Sequence, residues 1–204
     1  MSLKILNSDE FIVFSTRDYA QAHDLSFNTA SQRLSRWAKQ ELLTKVTRGI
    51  WANTQHAFFS PIQAVPYLLK QEIGYVSFLT ALHRHGLISQ IPATIQVATT
   101  GRPRKINTEI GEFEFFQLKP QLMQEGIKAS NTKVCYMLAS LEKALLDTLY
   151  LSTRKGKRFS SLPELHFEDA EFCDKKFQEL LENAKLDQKI KSAIHKGLLR
   201  YRSQ

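Results

Sequence analysis

Apolar residues recur at helical spacing in the first fifty residues and give way to short alternating runs behind them. Phe27, Ala30, Leu34, Trp37, Ala38 and Leu42 fall on one stripe, predicting a helix over 27–41. Ser26 stands before it as an N-cap, and Asp24-Leu25-Ser26 separates it from a shorter helix through Ala20 and Ala22. Ser15, with Asp18 three residues on, has the spacing of a capping box for that first helix. Residues 43–46 and 50–52 predict two short strands around Thr47-Arg48-Gly49, where Gly49 is free to take a positive φ.

The middle of the chain alternates between the two periods. Ser60-Pro61 predicts a helix to about Glu72, capped and with proline in its first turn. Gly74-Tyr75-Val76 opens the next unit, and Ser77 caps a helix through Leu79, Leu82 and Arg84 to Gly86. Residues 94–100 and 112–118 alternate as strands around the turn Gly101-Arg102-Pro103-Arg104-Lys105, and 133–137 predicts a further strand. Ser140 caps a helix with Leu141, Ala144, Leu145, Thr148 and Leu149 on its core face. Glu142, Lys143 and Asp147 then predict a charge arrangement on the helix surface or between domains.

Residues 152–162 form a basic, Gly/Ser-containing stretch that predicts a mobile connector and a boundary. Beyond it, Cys173, Phe177, Leu180, Leu181 and Ala184 predict one amphipathic helix, and Leu186, Ile190, Ala193, Ile194, Leu198 and Tyr201 a second. Their stripes must pack on the body, on each other or on a second subunit. The fold class is α+β. A winged helix-turn-helix is expected over 1–56, an α+β body with a small mixed sheet over 57–151, and the connector with C-terminal helices over 152–204.

The polar side of the 27–41 helix suggests chemistry. At 100° per residue, Asn28, Thr29, Gln32, Ser35, Arg36 and Lys39 gather opposite the apolar stripe, with Arg33 at the edge. Asn and Gln match adenine edges, and Arg and Lys match guanine edges or phosphate, so the face suits a DNA major groove. An ordinary solvated face would carry the same residues. The context separates the two readings, because a short helix, a three-residue turn, a longer helix and a hairpin follow the order of a winged helix. The predicted DNA-binding residues are Ser26, Asn28, Thr29, Gln32, Arg33, Arg36 and Lys39 on the helix, with Lys45 and Arg48 on the wing. Asn28, Thr29, Gln32 and Arg33 are expected nearest the bases, and Arg36, Lys39, Lys45 and Arg48 on the backbone.

Composition narrows the class. The 204 residues carry 28 Lys+Arg against 20 Asp+Glu, a net charge of +8, with 43% hydrophobic and 24% charged residues. That balance excludes a wholly disordered chain, and no apolar run reaches the roughly 18 residues of a membrane span. Acids near the N-terminus argue against a signal peptide, and two distant cysteines against a disulfide framework, so the expected compartment is the cytoplasm. The charge divides as +2, +2 and +4 over 1–56, 57–151 and 152–204. The largest excess therefore lies where no reading motif does.

Three segments, read together, resemble a known family: YVSFLTALHRHGL at 75–87, IPATIQVATTGRPRKI at 91–106 and LASLEKALLDTLYL at 138–151. With Arg48-Gly49 and Trp51 ending the wing, their order is similar to that of the AbiEi antitoxins over about 15–151. The resemblance implies a transcriptional autorepressor that binds repeats in its own promoter, two copies occupying paired repeats. It also implies an AbiEii-type nucleotidyltransferase toxin as functional partner, countered without stable direct binding in the best-known systems. The short C-terminal part departs from long family members. Two alternatives stay open: an antitoxin that holds its toxin directly, and a stand-alone one-component winged-helix regulator.

Other motifs carry less. GRPRK at 101–105 matches an AT-hook core but joins two strands, so a basic hairpin turn is expected, with a phosphate contact left open. Ser140-Leu-Glu-Lys143 lacks the companion motifs of β-lactam-binding enzymes. His83 and His85 point to different helix faces and lack further ligands. Asp174 and Lys176 lack an upstream acidic partner for a nuclease site. No phosphate loop, dinucleotide fingerprint or zinc-protease motif is present. No enzyme activity, cofactor or metal is expected.

Overall fold

The computed structural model describes residues 8–154, 156, 158–159 and 161–202. The first seven residues, on which the leader argument partly rests, and Lys155, Lys157 and Ser160 of the expected connector lie outside the described residues. The described residues form seven α-helices and two sheets, a mixed α+β architecture. None of the helices is long and apolar enough to cross a membrane. The chain gathers into two compact units: 1–71 with 105–112 and 130–136, and 72–104 with 113–129 and 137–204.

In the first unit, β1 (Val13–Ser15) runs into α1 (Thr16–Ala22), α2 (Phe27–Lys39), β2 (Thr44–Thr47) and β3 (Ile50–Ala52). β3 lies between β1 and β2, antiparallel to both. The strand over 13–15 is too short to show in a period-two pattern, and it exists through its pairing with β3. Ser15 and Asp18 form the predicted capping box: Asp18 N–H donates to Ser15 Oγ at 3.1 Å, and Ser15 N–H to Asp18 Oδ2 at 2.8 Å. Phe11, Phe14, Tyr19, Ala30, Leu34, Trp37 and Trp51 make one buried cluster, with Tyr19 edge-on to Trp37 at 5.6 Å. Burying a side chain such as Leu34 completely contributes roughly 1.5–3 kcal/mol.

The helix expected from Pro61 to Glu72 is shorter. A 3-10 turn (Pro61–Ala64) leads into α3 (Val65–Leu69), which ends where Lys70 takes φ 57°. Pro66 has no N–H to continue a ladder of bonds from the preceding turn. The Tyr67 hydroxyl donates to the Val13 carbonyl at 3.0 Å. Burial, and then the negative charge of Asp18, push its pKa up to about 12.

The second sheet has the order β6-β7-β5-β4-β9-β8 and is mixed. Its strands are β4 (Gly74–Val76), β5 (Ile95–Thr99), β6 (Arg104–Thr108), β7 (Gly111–Gln117), β8 (Ile127–Ala129) and β9 (Met137–Ala139). β5 pairs with β7, and β4 with β9, in parallel; β4–β5 and β8–β9 are antiparallel. The strand expected over 133–137 starts only at Met137. Residues 130–136 close a loop instead, with Ser130 N–H donating to Tyr136 O at 2.8 Å and Tyr136 N–H to Ser130 Oγ at 3.0 Å.

Helices α4 (Phe78–Arg84), α5 (Leu141–Ser152), α6 (Asp174–Asn183) and α7 (Gln188–Arg202) complete the second unit. α5 is buried from Leu141 to Leu151 on all sides, because α4, α6 and α7 each pack against it. The C-terminal stripes therefore find their partner on the body: Phe177, Leu181, Ile194 and Leu198 are buried in its core. The connector is also pinned. Phe159 stacks on Phe78 at 5.4 Å and sits 5.3 Å from Phe116, which ties at least this point of the expected mobile stretch to the core.

Candidate nucleic-acid interface

α2 is held from one side only. Ala30, Leu34 and Trp37 are buried, whereas Asn28, Thr29, Gln32, Ser35, Arg36 and Lys39 are exposed. The connection from α1 is tight: Leu25 N–H donates to Ala20 O at 2.9 Å, and Asp24 adopts φ 49°. Ser26 then caps α2, accepting from Thr29 N–H at 3.1 Å. Its hydroxyl also lies 2.8 Å from the Thr29 hydroxyl.

The nine predicted residues separate into four groups in this setting. Ser26 and Thr29 spend their hydroxyls on each other and on the cap. Arg33 is half-buried, and its Nη1 donates to the hydroxyl of the fully buried Tyr19 at 3.3 Å. It braces α2 against α1. Asn28, Gln32, Arg36 and Lys39 remain as one outward row, with amides in the first half and positive charges in the second. Lys45 and Arg48 stand exposed on the hairpin that follows.

That hairpin is tied to the start of α1. Arg48-Gly49 makes a two-residue turn with Gly49 at φ 77°, a value that favours glycine. Thr16 N–H donates to Gly49 O at 2.8 Å, and the Trp51 indole N–H to Thr16 Oγ1 at 2.8 Å. The register shifts between Lys45 and Thr47; Val46 is buried while Lys45, on the opposite face of the strand, stays in solvent. Among the described residues, no carboxylate pairs with Arg36, Lys39, Lys45 or Arg48. Their charges are available to an outside anion.

One position departs from the pattern. Phe27 has core spacing, yet it is 56% exposed and lies outside the cluster that Leu25, Ala38 and Leu42 cover. Periodicity alone could not show this, because Leu25 and Ala30 on either side of it meet the cluster while the ring of Phe27 does not.

No family model matches the chain, and no curated protein matches it.

The second unit holds a polar cluster of another kind. Glu142, Lys143 and Asp147 were expected at a helix surface or between domains, but all three are buried within the second unit. Asp147 accepts from Tyr75 Oη at 3.0 Å, from Ser77 Oγ at 2.8 Å and from Lys143 Nζ. Glu142 accepts from Ser140 Oγ at 2.9 Å and from Cys173 N–H at 3.2 Å. Burial pushes the Asp147 carboxyl up against the pull of Lys143, lowers the Lys143 ammonium, and raises Tyr75 well above a free phenol. Every atom of this set that carries charge is spoken for, and its geometry is that of a structural network.

The remaining motifs are also occupied. Arg104 Nη1 donates to Glu72 Oε2 at 2.7 Å with its guanidinium 4.1 Å above the Phe115 ring, so the Arg-Pro-Arg core cannot lie free as a hook. Arg102 stays exposed. His83 Nδ1 lies 3.2 Å from Ile88 O, and His85 Nε2 2.8 Å from Ala139 O.

Proposed function

We propose that this protein is a DNA-binding autorepressor whose first unit acts as a winged helix-turn-helix. The observation that carries the reading is the outward row of α2 next to the exposed Lys45 and Arg48 of the hairpin. Amides near the helix start meet base edges, while positive charges further along and on the wing meet phosphates. Arg33, expected at the bases, also donates from Nη1 to Tyr19 of α1, and its remaining guanidinium donors still face outward for DNA.

The wider reading is an antitoxin of the AbiEi type, paired with a nucleotidyltransferase toxin. What supports it is the resemblance of 75–87 and 138–151, together with the meeting of their most distinctive residues. Tyr75 and Ser77 from the first segment bond Asp147, beside Lys143, in the second. Binding to promoter DNA from its own operon represses its expression.

The test is a gel-shift titration on DNA from upstream of its own gene and on a scrambled fragment. Asn28→Ala with Gln32→Ala should cut affinity for the upstream fragment at least ten-fold, at about 1–3 kcal/mol per lost base contact, and leave scrambled DNA unaffected. Equal affinity of variant and parent for the upstream fragment would overturn the assignment of α2 as the reading helix.

A further inference from the structure

We propose that Phe27 reads the C5-methyl group of thymine in the major groove. This inference rests on the DNA-binding reading above and adds a base preference to it.

The starting point is an apolar ring left in water. Phe27 opens α2 at 56% exposure, outside the buried cluster of its own unit. An isolated exposed apolar residue is ordinary on a protein surface, so exposure alone decides nothing. Its neighbours do. The hydroxyls of Ser26 and Thr29 are occupied by the cap, and Arg33 is held by Tyr19. Of the exposed side chains in the first half of the helix, Phe27, Asn28, Thr29 and Gln32, Thr29 is held by the cap, which leaves the amides of Asn28 and Gln32 and the ring of Phe27 facing outward.

Spacing places them together. Phe27, Ser31 and Ser35 form one i, i+4, i+8 row, and Asn28, Gln32 and Arg36 form the row beside it. A·T pairs present in the major groove an adenine N7 and N6–H₂, which pair with a carboxamide, and a thymine methyl, the one apolar group there. A helix with amides in one row and an exposed aromatic ring in the next carries both complements. Guanine and cytosine offer the ring nothing to bury.

The experiment separates the methyl group from the rest of the base. The DNA fragment upstream of the gene is made once with thymine and once with uracil throughout, and each is titrated by fluorescence anisotropy at one ionic strength. The parent protein is expected to bind uracil DNA at least about four-fold more weakly, the effect of exposing one buried methyl group. Phe27→Ala should bind thymine DNA more weakly by a similar factor and treat the two DNAs alike. Any change in DNA stiffness caused by uracil persists in the variant, so the difference between the two ratios isolates the ring–methyl contact. Phe27→Gln, which keeps length but not the ring, should behave as Phe27→Ala. Thermal midpoints matching the parent's would show both variants folded.

Equal binding of the parent to both DNAs, or a variant that keeps the parent's discrimination, would overturn the inference while leaving DNA binding intact. A parent protein with no preference for the upstream fragment over a scrambled one would overturn the DNA-binding reading and this inference with it.

Discussion

Asp147 accepts three side-chain hydrogen bonds inside a core that offers its charge no water. Lys143, one helical turn earlier, is the only one of the three donors that brings a charge. Removing either partner strands the other, and breaking a buried pair in this way costs about 3–5 kcal/mol. Lys143→Ala and Asp147→Ala should each lower the unfolding free energy obtained from urea titration by that much. Lys143→Met with Asp147→Leu, which replaces the pair by apolar volume, should recover most of the loss; single and double variants of equal stability would contradict the pairing. Sequence spacing showed that Lys143 and Asp147 share a helix face. It could not show that this face is covered, because the cover comes from Tyr75, Ser77 and helices distant in the chain. The same limit applies to Phe27, whose spacing is right for a core that takes in Leu25 and Ala30 but not its ring.

At the scale of elements, the signals that proved legible are local ones. The boxes and caps at Ser15, Ser26 and Ser140 start their helices where the side-chain spacing says, and α6 and α7 follow their apolar stripes. The elements that were not legible depend on distant partners or on local backbone geometry. β1, β6 and β8 are strands through sheet pairing, and α3 begins only at Val65-Pro66, after a 3-10 turn, and ends where Lys70 takes φ 57°. For α2 and the hairpin, the proposed division between base readers and phosphate holders has a measurable consequence. Arg36→Ala with Lys39→Ala should weaken binding to upstream and scrambled DNA alike, and reduce the slope of log affinity against log salt by about 2. A loss confined to the upstream fragment would instead place these two residues on base edges.

Across the whole molecule, the net charge of +8 supplies attraction to any polyanion but no choice among them. The choice must come from arrangement, and the first unit concentrates amides, an exposed ring and unpaired bases on α2 and the hairpin. The C-terminal excess is partly spent internally: Lys191 pairs with Glu182 at 3.2 Å, Arg158 with Glu114 at 2.9 Å and Arg202 with Asp174 at 2.8 Å. Total charge therefore overstates what that region offers to DNA. The most direct measurement is the affinity of the unaltered protein for the DNA upstream of its gene, relative to a scrambled fragment of equal length and composition, at about 0.15 M salt. The account predicts a preference of at least ~10³-fold, the lower bound for specific over non-specific binding. Equal affinity for the two fragments, lost together as salt rises, would contradict it.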